Sequence, residues 1–301
     1  MKILLTANKT YRGAPDSIWW YFREPLIKLG HEVYFYDTVA GDPDNTFTQI
    51  IENFKPDLIF SIMTGNTSIT PHEPWQSIAD ETSSGRTRTF NWFCDDTWRF
   101  DNFSKIACNA FLACSTPERS YVQKYKDIGY QNILVANWHA NSTHYPKISF
   151  EDKEIDMSFI GAPNKTRKDF FERASVDVEF FFGINQEQLF ETFSKSKVSV
   201  NLSINNNDPQ KKTQMKQRIF EIPAGQGLLM TEYHEGIEEY FEINKEIFTF
   251  KTHVEFKEKM DFLSKHPALV KKVAAAGHKR FLKEHDSEIR LSKVLESIMS
   301  I

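Results

Sequence analysis

Only three cysteines, Cys94, Cys108 and Cys114, stand among 301 residues. An odd, small number argues against a disulfide framework and for core thiols in a reducing compartment. Long apolar runs are missing as well: nothing approaches the roughly 18 residues that span a bilayer, and the apolar run in the opening MKILLTANKT is too short for an export signal. A soluble, cytoplasmic protein is the expectation. Charge of one sign is also lacking, since 37 Lys and Arg face 41 Asp and Glu for a formal net charge of -4. Bulk charge therefore gives no support to a general polyanion binder. No repeat with a period of roughly 20 to 50 residues is visible. Tryptophan is absent from the second half, all six (Trp19, Trp20, Trp75, Trp92, Trp98 and Trp138) preceding residue 140.

What the chain does have is alternation. Short apolar runs at 3–6, 33–36, 58–62, 89–93, 110–113 and 133–136 read as buried parallel strands. Between them, 16–29 closes at Gly30, 46–54 precedes Pro56 and 117–128 closes at Gly129, each with helix-stop chemistry. A second series runs through 157–160, 178–182, 198–202, 228–230 and 247–250. The length suits two α/β domains of about 150 residues each. The expected fold is two doubly wound, Rossmann-like lobes facing across a cleft, with the polar segment 137–154 as linker and hinge. The boundaries are set at 1–143, 144–286 and 287–301.

In such sheets ligands bind beyond the carboxyl ends of the strands, so the loops there carry the candidate chemistry. Arg218 and Glu221, three residues apart before Gly225, share a helix face. A cation fit for phosphate oxygens then sits beside a carboxylate fit for paired hydroxyls, the two groups a nucleotide-sugar presents. An intrahelical ion pair on a solvated face explains the same two residues. In the turn 161–168, Gly161, Asn164, Lys165 and Arg167 precede a helical pattern, where amides and cations complement a diphosphate. A solvated basic loop is the alternative. Lys211 and Lys212 read as surface, whereas Lys216 and Arg218 are donor candidates. Gly13 and Arg12 follow the first strand, where a bare backbone permits close approach, although without any resemblance a plain turn is the better explanation of Gly13.

Asp95 and Asp96 stand side by side at a strand end, where mutual repulsion suits one to serve as a base. Alternatively one caps a helix and the other pairs with Arg99. Asp96 is favoured as the cap and Asp95 as the cleft residue. Trp75 and Trp98 sit in loop-like settings and, with Arg99, are candidates for the acceptor, while Trp19 shares a stripe with Phe22, Leu26 and Leu29 and belongs to the core. Asp42-Pro43-Asp44 spells a D-x-D string but reads as a turn, so no metal is expected there. His139 and His144 read as ordinary linker histidines rather than catalytic ones.

RIFEIPAGQGLLMTEYHEGIEEYF from Arg218, NKEIFTF, and HPALVKKVAAAGHKRFLKEHDSEIRL resemble the C-terminal half of the CgeB-like glycosyltransferases, retaining-type relatives within the glycosyltransferase-B fold. NWFCDDTWRF at 91–100 and SFIGAPNKTRKDFF at 158–171 extend the resemblance over most of the chain. It implies that Arg218 contacts donor phosphates, that Glu221 accepts hydrogen bonds from ribose hydroxyls, and that the first lobe binds the acceptor. It also implies that the last helix crosses back to the first lobe. The broader class often carries an earlier glutamate eight residues before Glu221, where this chain has Thr213, which puts a sugar contact at that point in doubt.

The resulting expectation is an enzyme that moves a sugar from a nucleotide diphosphate-sugar to a hydroxyl acceptor, with the nucleotide-sugar as co-substrate and no further cofactor. A nucleotide-sugar epimerase and a non-catalytic two-lobed binding protein are the rivals. Modified DNA is one conceivable acceptor beside glycans and small molecules.

Overall fold

The computed structural model describes residues 1–11, 14–204 and 212–301. The chain divides into two compact units, one made of the described residues of 1–137 and 287–301, the other of those of 138–286.

The first unit is built on six parallel strands: β1 (Lys2–Ala7), β2 (Glu32–Asp37), β3 (Leu58–Ser61), β4 (Arg88–Trp92), β5 (Ala113–Thr116) and β6 (Ile133–Val135). Their order is β2-β1-β3-β4-β5-β6. Helices cover both faces, which is why β3 and β5 are buried at every position. A five-residue π-turn, Trp19–Arg23, runs into α1 (Glu24–Lys28), which stops before Gly30 at φ +84°. α2 (Phe47–Phe54) starts at Thr46 with a reciprocal capping box to Gln49. α3 (Trp75–Ser84), α4 (Asp96–Arg99) and α5 (Val122–Asp127) complete the layers.

Two local expectations shift. The strand expected at 110–113 begins only at Ala113, because Cys108–Ala110 coils into a 3-10 turn and the Phe111 amide bonds back to the Cys108 carbonyl (3.0 Å). Trp19 is half-buried rather than core, with the Arg23 guanidinium 4.1 Å from its ring centre, while Phe22 and Leu26 are buried as its stripe requires.

The second unit repeats the plan with five parallel strands: β7 (Ile155–Ile160), β8 (Glu179–Phe181), β9 (Ser196–Asn201), β10 (Leu228–Glu232) and β11 (Phe248–Phe250). Their order is β8-β7-β9-β10-β11. α6 (Lys165–Ala174), α7 (Gln186–Lys195), α8 (Arg218–Ala224), α9 (His253–Ser264) and α10 (Pro267–Glu284) pack around it. Phe159, Val198, Leu228, Met230, Phe250, Phe256 and Val273 belong to its core. In each sheet the second strand lies outside the first and the third on its other side, so the chain reverses between the first and third strands. That switch point opens a crevice at the carboxyl ends.

The segment 138–154 is packed onto the second unit. Tyr145 is buried against Phe190, 4.9 Å between ring centres, and the buried Lys153 donates to the carbonyls of Gly225 (3.0 Å) and Ser194. Burial pushes its amine down to about 8. The chain changes units at Asn137/Trp138, six residues before the boundary expected from polarity. Beyond Asp286 it rejoins the first unit: α11 (Ser287–Met299) buries Leu291, Val294, Leu295 and Ile298 and packs against α1, with Lys28 Nζ 2.5 Å from Glu288. Among the described residues no helix is long and apolar enough to cross a membrane.

Candidate active site

β7 ends at Ile160, and Gly161 turns the chain out of the sheet, its amide bonded to the Phe181 carbonyl (2.9 Å). Asn164 then caps α6 by accepting the Arg167 amide at Oδ1 (3.1 Å). The cap places Arg167 in the first turn of α6, where its Nη1 donates to the Ala162 carbonyl (2.9 Å) and its guanidinium lies 5.3 Å from the Phe159 ring centre. Arg218, the first residue of α8, reaches the same ring from the other side of the switch point at 5.8 Å. A β-carbon on Gly161 would stand 3.0 Å from Arg167 Nη1 and 3.1 Å from Arg218 Nη2. The absence of a side chain there is what lets two guanidinium groups converge.

Two like charges gathered in a half-buried place repel one another. Burial, and then the neighbouring Arg218 charge, push Arg167 down to about 10. Burial also lowers Arg218, with the Glu221 charge opposing. Arg167 Nε is buried without a hydrogen-bond partner among the described residues. An anion with several oxygens would satisfy the unused donors and offset the repulsion, and the planar fork of arginine matches phosphate oxygens.

Glu221 is only 4 % exposed, and α8 is buried from Ile219 to Ala224. The solvated-face ion pair is thereby excluded. α8 lies tight against the end of α7 because Gly225 and Gly227 carry no side chains: a β-carbon would sit 2.8 Å from the Phe193 carbonyl carbon or 3.0 Å from the Ser196 oxygen. Pro223 lies inside the helix near its end, its carbonyl receiving His278 Nδ1 (2.8 Å).

One donor candidate does not join the pair. Lys165, with an 86 % exposed side chain, turns outward to Asp169 (2.5 Å), its partner one helical turn on. Lys216 lies close enough to Glu232 for its charge to oppose the upward shift that burial imposes on that carboxyl. Arg12, Gly13 and Lys211 lie outside the described residues.

In the first unit, the α4 cap position is Asp95, not Asp96, and the Asp95 side chain makes no cap hydrogen bond. It is half-buried just beyond β4. Asp96 is 1 % exposed and accepts the Tyr125 hydroxyl (2.9 Å), so it cannot meet an acceptor, and its assignment as cap or base is corrected. Burial pushes its carboxyl up to about 6 against hydrogen bonds from Thr116, Ser104 and Tyr125. An acid held above its unfolded value of 3.8 contributes its full stability below that value and loses it as pH rises through about 6. At pH 8, Asp96→Asn, which copies the neutral form, should therefore stabilise the chain by up to about 3 kcal/mol, and by little at pH 4. Denaturant titrations at both pH values check this; an equal change at both would refute it.

The tryptophan candidates are likewise redistributed. Trp75 is the first residue of a ten-residue helix, with its indole N–H on Glu73 (3.0 Å) and its ring packed edge-on with Phe103 and Phe111. That is core packing, not an acceptor platform. Arg99 donates to the Thr64 carbonyl (2.5 Å) and lies 4.3 Å from the Phe103 ring centre, so it fastens a loop instead of facing an acceptor. Trp98 remains half-buried on α4. Sequence reasoning missed Glu73, which collects the amides of Thr64 and Gly65, the Thr70 hydroxyl and the Trp75 indole. Its donors come from four positions that no single spacing announces.

Asp42 does turn duty, its oxygens taking the amides of Asp44 (3.0 Å) and Asn45 (2.9 Å) and the Tyr34 hydroxyl (2.7 Å). His139 is buried and His144 stacks on Phe190. Cys108 and Cys114 are buried free thiols, and Cys94 is a partly buried one.

Comparison with known proteins follows the same geography. Residues 150–296, which hold Gly161, both arginines and Glu221, match the family described as glycosyl transferase-like. No curated protein matches. HepE of Anabaena, in complex with UDP and glucose, superposes with a TM-score of 0.67 at 11 % identity over 100 % of both chains. Sucrose-phosphate synthase from Thermosynechococcus elongatus gives 0.67 at 10 % identity over 99 % of each chain. A glycosyltransferase from Rickettsia africae gives 0.64 at 12 % identity over 99 % of this chain and 98 % of that one. At such identities the likeness concerns the fold. Two Rossmann-like sheets therefore place the chain in the glycosyltransferase-B fold, and the segment that carries the arginine pair is similar to the glycosyl transferase-like family.

Proposed function

We propose that the chain transfers a sugar from a nucleoside diphosphate-sugar to a hydroxyl acceptor, and that its second unit holds the donor. The observation that carries this reading is the convergence of Arg167 and Arg218 on Gly161. Negative charge grows on the diphosphate as the sugar leaves, and cations fixed beforehand at that point lower the barrier without reorganising. Glu221, buried next to Arg218, accepts the ribose hydroxyls. Asp95 assists the incoming hydroxyl, with Trp98 nearby on the same short helix. UDP is the first nucleotide to try, because HepE is named in complex with UDP-glucose. Assignment to the CgeB-like branch rests on NWFCDDTWRF and RIFEIPAGQG, and a cytoplasmic site of action on the free thiols.

The test is calorimetry with UDP, GDP and ADP, followed by assay of the matching nucleotide-sugars. Failure of all three diphosphates to bind would sink the reading. For Glu221 the readout is finer: wild type should prefer UDP over 2′-deoxy-UDP, and Glu221→Gln should weaken UDP by about 1 to 3 kcal/mol and erase that preference. A variant that keeps the preference would remove Glu221 from the ribose.

A further inference from the structure

Lys153 is buried, 4 % exposed, and no ion pair among the described residues offsets its charge. Burying an unpaired ammonium is costly, so its contacts have to compensate. Its Nζ donates to the carbonyl of Ser194, in the last turn of α7, and to that of Gly225, just past the end of α8 (3.0 Å). Carbonyls at a helix end are left over by the helix's own ladder, and a cation is favoured beside them. One lysine therefore fastens the ends of two helices together.

The same stretch of α8 is fastened twice more. His278, on α10, donates from Nδ1 to the Pro223 carbonyl (2.8 Å). Phe220, fully buried on α8, packs edge-on against Tyr240 (5.6 Å) and His285 (5.4 Å), and His285 Nε2 is bonded to the Tyr240 carbonyl (2.8 Å). α8 has only seven residues, roughly 10 Å of helix, and Arg218 is the first of them. A close-packed piece so short moves as a unit, so a shift where it ends is a shift where it begins.

Such a shift has a driving force. Arg167 and Arg218 repel one another across Gly161, and an unanchored α8 would drift from α6 and part them. We infer that Lys153 is a positioning residue for the donor site, acting through α8 to hold Arg218 beside Arg167, an inference that rests on the nucleotide-sugar reading above. Lys153 touches no substrate. Its work is to keep two like charges close enough for one diphosphate to meet both, and His278 shares that work at the Pro223 carbonyl.

The experiment measures affinity for UDP and for uridine by calorimetry, beside melting temperature, on wild type, Lys153→Met, Lys153→Arg, His278→Leu, Arg218→Ala and the double variant Lys153→Met with Arg218→Ala. Lys153→Met should bind UDP about tenfold more weakly and uridine within about twofold of wild type, since a displacement of about 1 Å can cost up to about 100-fold. Lys153→Arg, which keeps a cation and donors for both carbonyls, should recover most of the loss. His278→Leu should show the same selective loss, and it carries the test if Lys153→Met does not fold. In the Arg218→Ala background Lys153→Met should weaken UDP no further, because a residue that acts through another is not additive with it. Additive losses, or a lower melting temperature with unchanged UDP affinity, would make Lys153 a packing residue and overturn the inference. Arg218→Ala by itself separates the two levels. If that variant keeps full UDP affinity the donor reading fails, whereas loss of UDP there beside unchanged affinity in Lys153→Met and His278→Leu defeats the positioning inference alone.

Discussion

Arg218→Ala should weaken UDP binding about 100-fold while leaving the ligand-free chain as stable as wild type or more so. A bidentate arginine gives a phosphate two charge-assisted hydrogen bonds of about 1.5 to 3 kcal/mol each, and a loss of about 3 kcal/mol is two decades in affinity. The stability half of the prediction has the opposite sign from ordinary damage. In the ligand-free chain Arg218 faces Arg167, and both cations are disfavoured by burial. Removing one relieves that repulsion and its burial cost, against the loss of the Glu221 attraction and of about 0.5 to 1 kcal/mol of contact with the Phe159 ring. Calorimetry with UDP and with uridine, beside a melting curve, reads all three quantities. A fall in melting temperature, or equal losses for UDP and uridine, would show that Arg218 is a packing residue.

Asp95→Asn should lower turnover by about 10²- to 10⁴-fold, the range for a positioned base, with donor affinity and melting temperature unchanged. The separation is possible because the two aspartates do different work. The Asp95 backbone carbonyl, not its side chain, receives the amides of Trp98 and Arg99 at the start of α4, so the amide variant keeps the helix start. Asp96 is enclosed under Tyr125, so its substitution should move stability and spare the chemical step. Turnover that survives Asp95→Asn within a fewfold would remove the base and leave the reaction to positioning and to charge stabilisation at the diphosphate.

Elements were legible where local chemistry and tertiary demand agree. The run 46–54, expected as a helix from its stop before Pro56, forms one, and a Thr46–Gln49 capping box starts it. The run 228–230 is short and apolar because β10 is buried on both faces, and a fully buried strand leaves no other pattern. Where an expectation moved, a long-range contact decided it. Trp75 was expected in a loop-like setting, yet it opens a ten-residue helix with its indole N–H on Glu73, a residue that gathers donors from four positions.

The candidate site divides along the same line. Arg218 and Glu221 were legible as a pair because a three-residue spacing on a helix that runs into Gly225 is a local fact, whereas Asn164, expected on the donor, proves to be the cap that orients Arg167. Lys165 was indistinguishable from Arg167 by type and place, and only the folded α6 shows one turned to Asp169 and the other to Gly161. The alternation of apolar runs, the helix stops and the doubly wound plan follow from the sequence alone, since propensity, caps and burial period act within a few residues. Which cations converge and which aspartate is enclosed were decided by the tertiary structure. Those outcomes depend on parallel strands bringing residues far apart in the chain to one sheet edge, and no short window of sequence records that pairing.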